Sequence, residues 1–269
     1  MVTLTRRHLA VSPAPTSRRR GFTLIELAIV LFVVALLLGG MLLPLAGQQD
    51  IRNYGDTQKI LVDARDALVG FAMANERLPC PATLASNGVE SPPGGGACTN
   101  PYDGFLPAVT LGLSPVDAQG YRLDGWGGEA VHRLRYAIST AHSAAFSTQG
   151  GIKTATMTTL VTPPLSDLVI CSTATGLSGE GTATPACAAN ATLAEDAVAV
   201  VYSLGKNAGT GGTSTDEKHN PNRLVAGDPD FVAADRAFVN AVQGPAFDDQ
   251  MLWLSKSTLF NRMVAAGRL

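Results

Sequence analysis

The chain has 269 residues, of which 46% are hydrophobic and 16% charged, and its formal net charge is -2. That balance supports one sizeable folded domain or two small ones and excludes a chain disordered throughout. Five arginines (Arg6, Arg7, Arg18, Arg19, Arg20) precede the first acid, Glu26, and taking their charge from the net of -2 leaves about -7 for the remainder, a poor general attractor for nucleic acid, whose binding depends on phosphate neutralisation.

After the arginines, Leu27 to Gly47 carries no charge and is mostly Leu, Val, Ile, Ala, Phe and Met. As a helix it is long enough to cross a hydrocarbon core of roughly 30 Å. The basic side stays in the cytoplasm, so the run predicts an N-in, C-out topology. A cleaved secretory signal fits less well, because Pro44-Leu45-Ala46 offers no small-x-small site. No cysteine lies between Met1 and Leu78, which excludes a lipoprotein signal. Gly39, Gly40, Pro44 and Gly47 predict a kink or a locally melted segment. Glu26 opens this apolar run, where an ionisable group costs a few kcal/mol unless it has a partner, so it is a functional candidate.

The stretch Arg18-Arg19-Arg20-Gly21-Phe22-Thr23-Leu24-Ile25-Glu26-Leu27 resembles the processing site of type IV prepilins. The resemblance implies that a membrane-embedded prepilin peptidase cuts between Gly21 and Phe22 and methylates the new amino group of Phe22. It also implies that Glu26 pairs with the charged N-terminus of a neighbouring subunit during assembly. The partners it implies are the peptidase, other pilin or pseudopilin subunits, an inner-membrane assembly platform and lipid. The product would be a type II secretion pseudopilus or a type IV pilus.

From Asp50 to Asn75 the chain reads as an amphipathic continuation, with Ile51, Tyr54, Gln58, Leu61, Val62, Arg65, Leu68, Val69 and Ala72 at three-four spacing. Arg77-Leu78-Pro79-Cys80-Pro81 ends it. Residues 82–104 are turn-rich loop. The four cysteines form two local pairs, Cys80 with Cys98 and Cys171 with Cys187. In an exported domain they read as two short-range disulfides, each worth roughly 3 kcal/mol in the chain-entropy model; in a cytosolic one they are four free thiols. Asp124-Gly125-Trp126-Gly127-Gly128 leads into Ala130–Ser139, read as a half-buried strand. That segment resembles the Asp-Pro-Trp-Gly turn and Tyr-containing strand of major pseudopilins. Further strands are predicted at Asp167–Cys171, Ala197–Leu204 and Met251–Leu254, loops at Ser172–Ala194 and Gly205–Pro229, and a helix at Ser257–Ala266.

No phosphate-binding loop, nucleophile elbow or His-Glu-x-x-His is present. His8, His132, His142 and His219 are scattered, so the chain reads as a non-enzyme without cofactor. Major pseudopilins hold calcium near the C-terminus, and Asp216, Glu217, Asn220, Asn222, Asp228 and Asp230 supply oxygens here. They lack the spacing of a calcium loop and read as a solvated acidic segment, so no metal residue is assigned. Two alternatives are a minor pilin whose exposed domain binds DNA or a surface through Arg122, His132, Arg133 and Arg135, and a membrane-anchored exported domain of other function.

The expected fold class is α+β: a long N-terminal spine helix packed on an antiparallel sheet, pilin-like, with long disulfide-pinned loops. The parts are a basic leader (1–21), a transmembrane helix (22–47), the amphipathic half of the spine (48–76) and a periplasmic globular domain (77–269).

Overall fold

The computed structural model describes residues 21–159, 166–179, 181–212, 214–220 and 235–269; of the expected leader, residues 1–20 lie outside the described residues. The chain divides into two compact units, Met1–Gln49 and Asp50–Leu269.

The first helix, α1, spans Leu24–Asn75. It begins where Thr23 caps it: the Thr23 Oγ1 accepts from the Glu26 backbone N–H at 3.3 Å, and the Thr23 carbonyl accepts from Leu27 N–H at 3.1 Å. Thr-Leu-Ile-Glu has the spacing of a capping box, so the cap is written locally in the sequence. The backbone stays helical through Gly39–Gly47, so the locally melted form of the expected break does not occur. A proline deletes a single i→i−4 bond, and the flanking bonds suffice to keep the turn.

In the second unit the buried face of α1 is Thr57, Leu61, Ala64, Leu68 and Ala72, a stripe one side of the helix wide. It starts nearly two turns later than the sequence pattern implies, since Ile51 is 73% exposed and Tyr54 sits at the surface. The helix stops at Asn75, and Glu76 follows with φ at 56°, in the left-handed region that ends helices.

The remaining elements are β1 (Gly104–Phe105), α2 (Ala108–Leu111), a 3-10 turn (Ala130–His132), β2 (Arg135–Ile138), α3 (Ala141–Ala144), α4 (Gly151–Thr159), β3 (Leu168–Cys171), β4 (Thr192–Ser203), α5 (Thr215–His219), β5 (Ala237–Val239), β6 (Gln250–Ser255) and α6 (Lys256–Ala265). The strands form one six-stranded sheet in the order β1-β2-β4-β3-β5, with β6 also paired to β4. All pairings are antiparallel except β3 with β5, which departs from the purely antiparallel expectation.

Strand β4 is the hub. Ala199, Val200, Val201 and Tyr202 pair with β2 and also with β6, while Ala197 pairs with both β3 and β6. Residues 197–202 are buried on both faces, and a near-continuous apolar run is what such a strand requires. On one face Ala199, Val201 and Leu254 meet Leu61, Leu68, Tyr136, Leu259 and Met263; on the other Val200 and Tyr202 meet Tyr102, Ile170, Phe238 and Met251. The expected strand at Ala130–Ser139 is shorter and buried throughout rather than half-buried, because Arg135 is covered by the Phe105 ring at 4.6 Å and paired with Asp103 at 3.1 Å. Strand β4 also extends back into the expected loop Ser172–Ala194.

Both local cysteine pairs are bonded, Cys80 to Cys98 and Cys171 to Cys187. The first closes a loop whose interior is polar: the Arg77 guanidinium donates twice to the Glu90 carboxylate at 2.7 Å, and Glu90 also accepts from the Cys80 and Gly94 backbone N–H groups. Burial pushes the Glu90 carboxyl up, but these donors outweigh it and hold it below its ordinary value.

The Asp124–Gly128 turn joins sheet to helix. Asp124 Oδ1 accepts from Trp126 N–H, Oδ2 accepts from the Ser203 hydroxyl at 2.6 Å, and Gly125 N–H donates to Thr57 Oγ1 at 2.9 Å. A Cβ on Gly125 would lie 2.4 Å from the Asn53 carbonyl oxygen. Gly125→Ala should therefore lift the turn from α1 and destabilise the fold by about 1–3 kcal/mol, read as a lower denaturation midpoint at unchanged slope.

Candidate functional site

The N-terminal segment is where sequence and geometry meet. Gly21, Phe22 and Thr23 lie outside any helix or strand and are exposed, and nothing lies within 4 Å of a Cβ built on Gly21. The Gly21–Phe22 bond thus sits in open chain just before the capped end of α1. Phe22 is 77% exposed, and Leu24, Ile25, Leu27, Ile29, Phe32, Val33, Leu36 and Leu37 are all solvent-facing, around every side of the helix. A helix apolar all round has no water-facing side and belongs in lipid or among other helices. Glu26 is the lone acid in its first turn, where the positive end of the helix dipole favours a carboxylate.

Residues 16–42 match the prokaryotic N-terminal methylation motif. This is the prepilin-type cleavage and methylation signal of type IV pilins and pseudopilins, and it supports a type IV pilin-like secreted subunit, a structural protein. The α+β architecture, with a leading helix, a curled antiparallel-rich sheet and two disulfides, is consistent with a pilin-like fold. Neither the curated proteins nor the solved structures contain a match to this chain. The motif points to a membrane-anchored N-terminus. Among the described residues, however, no helix is long and apolar enough to cross a membrane. The expected span 22–47 includes residues 40–46, which lie outside those whose side chains are described, and Leu24–Gly39 alone falls short of the ~20 residues a span needs.

The basic patch proposed for DNA does not assemble. Arg133 is buried: its guanidinium donates to Asp117 at 2.7 Å and to Gln119, and lies 4.3 Å above the Tyr121 ring. Arg135 is equally internal. Arg122 donates to the Pro115 carbonyl at 2.6 Å, and His132 Nδ1 lies 3.5 Å from Asp124 Oδ2. These side chains hold loops against the sheet.

Of the six oxygen-bearing residues in the acidic segment, Asn222, Asp228 and Asp230 lie outside the described residues. Asp216 turns away, accepting from the Thr173 hydroxyl and the Ala174 N–H. Glu217 instead meets Asp248 and Asp249, with carboxylate oxygens of all three within 4.8 Å of one another. Sequence reading missed this cluster because its halves are far apart in the chain. The adjacent acids Asp248-Asp249 ahead of an apolar strand were the available signal.

Arg133→Ala is expected to lower the melting temperature by several degrees through loss of the Asp117 pair and the ring contact. It should leave unchanged any salt-dependent retention on DNA.

Proposed function

We propose that this chain is a pseudopilin or minor pilin, a structural subunit whose leader is removed by a prepilin peptidase between Gly21 and Phe22 and whose new Phe22 amine is methylated. Its first helix holds it in the inner membrane, N-terminus inward, with the domain beyond residue 77 in the periplasm. From there it assembles with other subunits, through an inner-membrane platform, into a type II secretion pseudopilus or a type IV pilus.

The observation that carries this reading is the setting of the Gly21–Phe22 bond: outside any helix or strand, exposed and directly ahead of a capped helix whose apolar side chains face outward on all sides. A peptidase requires a scissile bond free of helix, and the apolar helix requires lipid before assembly and neighbouring helices after it. Glu26 then answers two needs in turn. It is stabilised by the helix N-terminus while the subunit waits, and it is neutralised by a neighbour's Phe22 amine once helices pack side by side. The work is mechanical, and no cofactor enters it.

Intact-mass and N-terminal analysis of protein made with and without active prepilin peptidase tests the first step. The expected product begins at N-methylated Phe22, appears only with the enzyme and is lost in Gly21→Ala. A chain beginning near Gly47, or never cut, would overturn the reading. For the second step, Glu26→Gln should be cut normally yet enter sheared filaments about tenfold or more less than wild type. Equal incorporation would remove Glu26 from the assembly role.

A further inference from the structure

Three carboxylates of the second unit, Glu217, Asp248 and Asp249, tie its loops together. Glu217, on α5, is almost fully buried, and its Oε1 accepts from Asn207 Nδ2 at 2.8 Å and from the Asp248 backbone N–H at 3.1 Å. One side chain therefore ties α5 both to the turn after β4 and to the segment entering β6. Asp248 Oδ2 accepts from Lys206 N–H at 3.1 Å, which ties that turn to the same segment. Asp249, buried alongside, accepts from Asn220 Nδ2 at 2.6 Å, and Asn220 Oδ1 accepts from Val239 N–H.

The packing leaves no slack. A Cβ on Gly205 would lie 2.1 Å from Asp248 Oδ1, and one on Gly212 would lie 2.4 Å from the Glu217 side chain. Asp248 Oδ1 is buried and accepts no hydrogen bond. Two carboxylates in this proximity repel when both are ionised, whereas a protonated one donates to the other.

We propose that Asp248 carries a proton shared with Glu217 and that this proton is a latch, holding α5 and the 205–212 turn closed on the segment entering β6 and releasing them when it leaves. Burial first, and then the Glu217 carboxylate, push Asp248 up to about 7. Burial, Glu217 and Asp248 together push Asp249 well above its ordinary value. The other charged groups around the latch are Asp216, Lys218 and His219 on α5, Lys206 on the turn, and Asp50 on α1, which takes the Lys206 Nζ at 2.7 Å. Because the folded acid holds its proton more tightly than the unfolded one, the closed state is favoured below the ordinary carboxylate range and loses stability as pH rises towards and through about 7. Opening would loosen Lys206, and with it the cavity of about 510 Å³ lined by Ile51, Tyr54, Trp126 and Pro245.

Hydrogen exchange on the full-length chain in detergent with chelator, at about pH 5.5 and about pH 8 and corrected for intrinsic rates, tests the latch. Peptides covering 205–212 and 214–220 should exchange about tenfold faster at the higher pH while β4 stays protected. Asp248→Asn, which cannot ionise, should abolish the difference; should that variant not fold, Glu217→Gln, which removes the repulsion, is expected to do the same. Equal protection at both pH values, or acceleration that persists in the variants, would overturn the proposal. So would opening by chelator at both pH values that calcium reverses, which would make a bound cation the neutralising group.

Discussion

The seating of α1 on β4 is the contact on which the second unit depends. Leu61, Ala64, Leu68 and Ala72 lie on one side of the helix, and Ala199 and Val201 present the matching side of the strand. Ala64, Ala72 and Ala199 are the small members of this buried cluster, and Leu61 and Leu68 supply its larger side chains. Burying each such leucine contributes about 1.5–3 kcal/mol, more than any of the surface ion pairs along α1 supplies.

Much of the remaining architecture is arranged around that seat. The Asp124 turn bridges β4 at Ser203 to α1 at Thr57, so it fixes the helix where the apolar stripe begins. Arg77 and Glu90, buried and doubly bonded, anchor the chain immediately after α1 ends. Breaking such a pair would strand a charge in the interior, so it holds the geometry even where its net contribution is modest. The disulfides at Cys80–Cys98 and Cys171–Cys187 then restrain loops that carry too few apolar side chains to pack themselves.

Function and fold occupy different ends of the chain. The first-unit part of α1 keeps its apolar side chains outward, which is unfavourable in water and fits the membrane-anchored N-terminus to which the methylation motif points. The second unit pairs Arg133 and Arg135 internally, using them as loop anchors rather than as a binding surface.

The sequence alone determined what depends on local order: the methylation motif around Gly21-Phe22, the end of α1 ahead of Arg77-Leu78-Pro79, the grouping of the cysteines in two local pairs, and the apolar run of β4. Each follows from chemistry among near neighbours, where a cap, a proline or a short loop leaves few alternatives. Tertiary structure decided the rest. Arg133 and Arg135 read as a basic face until Asp117, Asp103 and the rings of Tyr121 and Phe105 closed over them. The short strands β1 and β5 form only because β2 and β3 offer them an edge. Glu217 and Asp248 meet because two loops fold onto one another, and no spacing along the chain encodes a distance across it.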